Sequence, residues 1–155
     1  MLTRLAVFLC TFGYIGYFPV APGTVGSAAG LALYALVALA GSWWMQAAAI
    51  AMVFGIGVWA AAVGERYFGG IDPGPIVIDE VLGMLVTLAF VPVGVKGALI
   101  GFFVFRVLDV FKPYPAGRLE RLHGGLGVMA DDAAAAVYGN AVMWLLAAYA
   151  PGWIA

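Results

Sequence analysis

Six long apolar blocks occupy nearly the whole chain, at 1–18, 26–40, 43–64, 76–91, 95–111 and 132–150, with short polar segments between them. At 1.5 Å per residue, helical blocks of about 15 to 22 residues reach roughly 22 to 33 Å, enough to cross a thin bilayer or to start within its interface. Backbone in hydrocarbon must satisfy its own hydrogen bonds, which leaves helices or a closed barrel. The alternating pattern of barrel strands is absent, so helices are expected. A chain of 155 residues that is 65% hydrophobic and 10% charged, with mean hydropathy +1.06, has too little polar surface to coat a soluble core. The expected fold is all-α: one polytopic membrane domain, residues 1–155, of about six short helices, some interfacial or re-entrant.

The first block carries one early charge, Arg4, and faintly resembles a signal peptide, but Pro19-Val-Ala-Pro-Gly fits a small-residue cleavage site poorly, so an uncleaved first helix is expected. A net charge of -1 gives no footprint for nucleic acid. Cys10 is the only cysteine, which excludes an internal disulfide and argues against a thiolate metal site. Gly26 with Gly30, Gly97 with Gly101, and the alanines at 133–136 are small-residue faces on which helix backbones can approach closely.

Short turns at Gly41-Ser42 and at Pro92-Val-Gly94 fold 26–64 and 76–111 into helical hairpins, so the segments 19–27, 65–80 and 106–132 fall on one membrane face. The opposite face is expected to keep little charge beyond Arg4 and Lys96. Arg66, Arg106, Lys112, Arg118 and Arg121 are five of the seven basic residues and lie on the first face, which the positive-inside bias makes cytoplasmic.

Four polar groups fall on that face. In Asp72-Pro-Gly-Pro-Ile-Val-Ile-Asp79-Glu80, Pro75 suits a first helical turn, which places Asp79 and Glu80 about one turn into the helix. Acids favour helix N-termini, but two adjacent carboxylates beside hydrocarbon are also suited to hold a cation or share a proton. In Arg106-Val-Leu-Asp109-Val-Phe-Lys112-Pro113, the spacing of three keeps both cations and the acid near one face, and Pro113 ends the helix. That is either an intrahelical salt bridge with a lysine answering the helix dipole, or a metal ligand (Asp109) flanked by phosphate binders. In His123-Gly-Gly-Leu-Gly-Val-Met-Ala-Asp131-Asp132, Asp131 reads as an N-cap and Asp132 as a first-turn acid. Gly124, Gly125 and Gly127 would let loop amides approach an oxyanion, and His123 would serve as a donor to phosphate. In Ala21-Pro-Gly-Thr24-Val-Gly26-Ser27, amides and hydroxyls sit at a helix start, where Thr24 or Ser27 serves as a cap or as part of an anion site; no Walker loop follows.

Together Asp79, Glu80, Asp109, Asp131 and Asp132 form an oxygen-rich set near helix ends. Such a set suits Mg²⁺ or Mn²⁺, and zinc lacks its usual ligands. A phosphate beside so many carboxylates needs a metal and interleaved cations, here Arg106, Lys112 and Arg121.

These four stretches, in this order and over almost the whole chain, resemble the phosphatidylglycerophosphatase A family. The resemblance implies a Mg²⁺-dependent phosphomonoesterase of the inner membrane that converts phosphatidylglycerophosphate to phosphatidylglycerol, feeding phosphatidylglycerol and cardiolipin synthesis. The family's motif acids fall on Asp72, Asp79, Glu80, Asp109, Asp131 and Asp132, and its basic residues on Arg106 and Lys112. The segment ahead of Asp72, residues 67–71, is less polar than the family pattern. The alternative reading is a small transporter or proton carrier, which would spread its acids through membrane depth. A CDP-lipid phosphotransferase lacks its expected Asp-Gly-x-x-Ala-Arg signature here.

Overall fold

The computed structural model describes residues 1–119, 122 and 124–155. Among them the chain is all-helical: α1 (Leu2–Cys10), a 3₁₀ turn (Ile15–Tyr17), α2 (Pro22–Leu39), α3 (Trp43–Phe68), α4 (Ile78–Thr87), α5 (Val95–Phe111), α6 (Ala116–Leu119), α7 (Gly125–Tyr149) and α8 (Pro151–Ile154). Both hairpin turns fall where the glycines and proline place them. Helices α2 and α3 are long and apolar enough to cross a membrane, and under a quarter of either apolar stretch is buried. A core helix of a soluble protein would be mostly covered. Here Trp44, Met52 and Trp59 of α3, Phe103 and Val107 of α5, and Trp144 and Leu145 of α7 all face outward, which makes this a membrane protein of short helices.

The shortest of the four helices named in the hairpins, α4, is the centre. Eight of its ten residues are buried, and it packs against α2, α3, α5 and α7, with its two acids confined to the first turn. Glycines set these approaches. Gly26 and Gly30 of α2 lie on Val77, Val81 and Met84, Gly83 of α4 receives the Phe105 ring, and Gly101 of α5 meets Leu88. Ala135 and Ala136 of α7 are fully buried, so the small-residue faces are packing faces. Helix α4 stops at Thr87, and side chains answer its loose backbone groups. Asn140 Nδ2 donates to the carbonyls of Thr87 (3.2 Å) and Ala89 (2.9 Å), and the Phe90 N–H donates to Gln46 Oε1 at 2.8 Å.

The first apolar block does not form one long helix. Helix α1 has nine residues, about 13 Å, too short to span. Phe12, Gly13 and Tyr14 all take positive φ, which turns the chain back. Leu2 and Thr3 lie beside Arg66 and Tyr67 at the end of α3, whereas Leu9 and Phe12 lie beside Val53 and Ile56 near its middle. The block is a re-entrant hairpin entering from the end where α3 finishes. This corrects the expected place of Arg4, which sits at that same end, while Lys96 lies at the other end beside Gly152 and Trp153.

Candidate active site

The starts of α2, α4 and α7 and the finish of α5 meet at one end of the bundle. Two prolines and the positive φ of Asp72 hold 72–77 out of helix, and the Val77 N–H donates to the Cys10 carbonyl at 2.9 Å. The helix therefore starts at Ile78, with Asp79 and Glu80 in its first turn, slightly earlier than the sequence predicts. Asp79 is 4% exposed.

Helix α7 starts at Gly125, which overturns the reading of Asp131 as an N-cap and Asp132 as a first-turn acid. Both lie about two turns into the helix. Gly125 and Gly127 are helical and packed rather than part of a loop: Gly125 lies against the Val58 carbonyl of α3 and Gly127 against that of Leu122, approaches that a side chain would block, while Gly124 stands just ahead of the helix. Successive helical residues point about 100° apart, so the two aspartates face different neighbours. Asp132 joins Asp79 and Glu80, and one carboxylate oxygen from each lies within 4.8 Å of the others. Asp131 turns to Lys112, whose Nζ donates to its Oδ2 at 2.6 Å, while its Oδ1 accepts the Asp132 N–H at 2.9 Å.

Arg106 is the hub of the other side. Its Nη1 lies 2.8 Å from Asp109 Oδ2 and 3.9 Å from Glu80 Oε1, and it donates to Ser27 Oγ at 3.2 Å. Ser27 in turn donates to the Gly23 carbonyl at 2.9 Å. A side chain on Gly23 would collide with Glu80 Oε1, so glycine lets the first turn of α2 lie on the acid. Asp109 is buried and within reach of the Asp132 carboxyl. Gly23 is the residue sequence reading missed, and Ser27, read as a cap or part of an anion site, instead braces Arg106. Because α2 begins at Pro22, Ser27 is too far in to cap it, and the four-residue spacing that stacks Gly23 and Ser27 on one face was the available signal. Thr24 is exposed on the same first turn. Asp72 is half-buried, and its backbone N–H donates to Glu65 Oε1 at 3.2 Å. Arg121 and His123 lie outside the described residues.

The carboxylate trio fits a hard divalent cation. Asp79 Oδ1, Glu80 Oε2 and Asp132 Oδ2 are buried acceptors with no hydrogen-bond donor among the described residues, a costly condition unless a cation satisfies them. Opposed oxygens around Mg²⁺ stand about 4 Å apart, twice its metal–oxygen distance, close to the spread seen here. Without a cation, each pair of ionised carboxylates at this separation repels by about 3 kcal/mol at an effective dielectric of 20. Asp79, Glu80, Asp109, Asp131 and Asp132 against Arg106 and Lys112 leave an excess of three negative charges, of the order one or two divalent ions neutralise.

A recessed, all-oxygen acidic centre flanked by an arginine and a lysine at one end of a membrane bundle defines a phosphate-handling membrane enzyme. The comparisons with known proteins make this specific. The family model for phosphatidylglycerophosphatase A matches residues 8–147. Phosphatidylglycerophosphatase A of Escherichia coli is 33% identical over 138 residues, covering 88% of this chain and 80% of its own. That of Haemophilus influenzae is 33% identical over 128 residues, covering 81% and 78%. A Bacteroides thetaiotaomicron protein named "Putative phosphatidylinositol-3-phosphatase" is 36% identical over 130 residues, covering 79% and 81%. No solved structure matches at a significant level. The chain belongs to the phosphatidylglycerophosphatase A family and is a phosphatase.

Proposed function

We propose that this protein hydrolyses phosphatidylglycerophosphate to phosphatidylglycerol and phosphate in a Mg²⁺-dependent reaction, Mn²⁺ being the nearest substitute, as one multi-pass domain spanning residues 1–155. Its site faces the cytoplasm from the inner membrane, and its product feeds phosphatidylglycerol and cardiolipin synthesis. The observation that carries this reading is the convergence of the Asp79, Glu80 and Asp132 carboxylates beside Arg106, each with a buried oxygen that no donor among the described residues meets.

Asp79, Glu80 and Asp132 hold the cation, with Asp109 at the edge of the set. A bound Mg²⁺ supplies charge neutralisation for the phosphate and acidifies a water. Arg106, fixed by Ser27 and Asp109, meets the outer phosphate oxygens. Lys112, held by Asp131, adds a second positive charge, and Thr24 on the exposed first turn of α2 is a further phosphate contact, as are Arg121 and His123 on the sequence reading alone. Water attacks phosphorus opposite the lipid oxygen, the P–O ester bond breaks, and the proton from water passes to the released alkoxide. Recovery of a stable aspartyl-phosphate from acid-quenched enzyme would replace this route with covalent attack.

The headgroup assignment follows the names of two relatives, and the Bacteroides protein's name makes it the point to test. Purified protein is given phosphatidylglycerophosphate, phosphatidylinositol 3-phosphate and phosphatidate, with chelator and with Mg²⁺ restored. Preferential, chelator-sensitive phosphate release from phosphatidylglycerophosphate is expected. Preference for the inositol lipid, or release indifferent to chelator, would overturn the corresponding part. A transporter would place acids through the membrane depth; here the described acids gather at one end.

A further inference from the structure

We propose that the groove between α2 and α5 is the seat of one acyl chain of the substrate, so that this chain selects lipid over soluble phosphate esters. This rests on the reading of the acidic centre as a lipid phosphatase site. The groove is a cavity of about 420 Å³ lined by residues of α2, of α5 and of the turn before α5, and Tyr34 is the one polar side chain on it. Its walls continue the two helix faces that carry the phosphate-binding groups. On α2, Ser27, Leu31, Tyr34 and Ala38 recur at helical spacing and form one stripe; on α5, Arg106, Leu99 and Val95 do the same. Ser27 and Arg106 are hydrogen-bonded to each other at 3.2 Å, so the stripes start together at the site and diverge along an apolar cleft.

The dimensions fit a chain hanging from the bound headgroup. Along α2 the lining runs from Leu31 to Leu39, about 6 to 18 Å from Ser27, and along α5 Leu99 and Val95 lie about 10 and 16 Å from Arg106. A phosphate at Arg106 thus brings the glycerol to the rim and the acyl methylenes into the cleft. Leu39, Val95 and Leu99 are well exposed, leaving the groove open along its side for entry from the bilayer. The apolar pocket between α1 and α3, near Ile78, is lined by the re-entrant hairpin and has no such stripe leading from the phosphate-binding side chains.

The test fills the groove. Ala35 lines it, whereas Ala32 is exposed on the same helix outside it. Ala35→Trp is expected to lower kcat/KM for dipalmitoyl phosphatidylglycerophosphate about tenfold, the effect of displacing roughly two buried methylenes. It should leave the dibutanoyl lipid within about twofold of the unmodified protein, and Ala32→Trp should match the unmodified protein on both. Equal loss on both lipids, or on neither, overturns the proposal.

A second arm does not depend on turnover. Phosphatidylglycerophosphate bearing a mid-chain diazirine is photolysed with the protein, and the labelled peptides are mapped. Labelling of 31–39 and 95–99 above that by phosphatidylcholine with the same chain supports the groove. Equal labelling by the two lipids marks an ordinary lipid contact and overturns it, as does label confined elsewhere. If the unmodified protein releases no phosphate from any lipid, the proposed function fails while the labelling still decides the groove.

Discussion

At Asp131 a carboxylate 2% exposed is tied to Lys112 at 2.6 Å, and removing either takes an opposite charge away from a buried ion pair. Lys112→Met should therefore destabilise the protein by about 3 to 5 kcal/mol, visible as a lower Tm in detergent. Lys112→Met with Asp131→Asn should recover most of that stability without recovering turnover, because the phosphate loses a cation in both; full rescue of activity would confine Lys112 to a structural part. Asp132 behaves oppositely. It faces Asp79 and Glu80, with Asp109 also in reach, so Asp132→Asn removes repulsion of about 3 kcal/mol per pair and should raise the Tm of metal-free protein while abolishing turnover. Added Mg²⁺ should raise the Tm of the unmodified protein by several degrees, since a cation binding only the folded state at 100 times its Kd adds about 2.7 kcal/mol. An undiminished Mg²⁺ shift in Asp132→Asn would remove Asp132 from the metal site. The acid set was legible in the sequence because buried-looking carboxylates beside hydrocarbon have few other uses. The division of labour between Asp131 and Asp132 was not, since it depends on where their helix starts.

Helix limits were readable where chemistry marks them. Helix α5 spans Val95–Phe111 as the apolar block predicts, because Gly94 precedes it and Lys112-Pro113 stops it. Helix α7 starts seven residues ahead of its predicted position, because glycines that read as a loop in isolation are helical when a neighbouring backbone packs on them. The first block misled in the other direction: hydropathy cannot distinguish a span from a hairpin that re-enters, and the turn at 12–14 has only one glycine to announce it. The central helix depends on a support invisible to hydropathy, the Asn140 amide bridging two carbonyls beyond its last turns. Asn140→Leu preserves volume and strands both acceptors, at a cost of about 1 to 3 kcal/mol each where no water reaches. A lower Tm with KM near that of the unmodified protein is expected, since the site lies at the other end of α4. A changed KM at unchanged stability would show that Asn140 acts on the substrate.

The molecule as a whole carries two aromatic rims. Tyr17 and Tyr67 are exposed at the end holding the site, and Trp43, Trp44, Tyr149 and Trp153 at the other. Along α3, Trp43 and Tyr67 stand about 36 Å apart, a separation that places both rims at the interfaces of one bilayer. Arg4, Arg66, Arg106, Lys112 and Arg118 lie at the site end and Lys96 at the other, so relocating Arg4 strengthens the charge asymmetry from which the sequence reading set the orientation. The proposed orientation opens the active centre to the cytoplasm. This is testable with little background, because the only native cysteine, Cys10, is fully buried. Lys96→Cys should react with a membrane-impermeant maleimide added to intact spheroplasts, and Arg118→Cys only after the membrane is opened. The reverse pattern would place the site on the outer face, and with it the phosphate-bearing headgroup on which the proposed reaction acts.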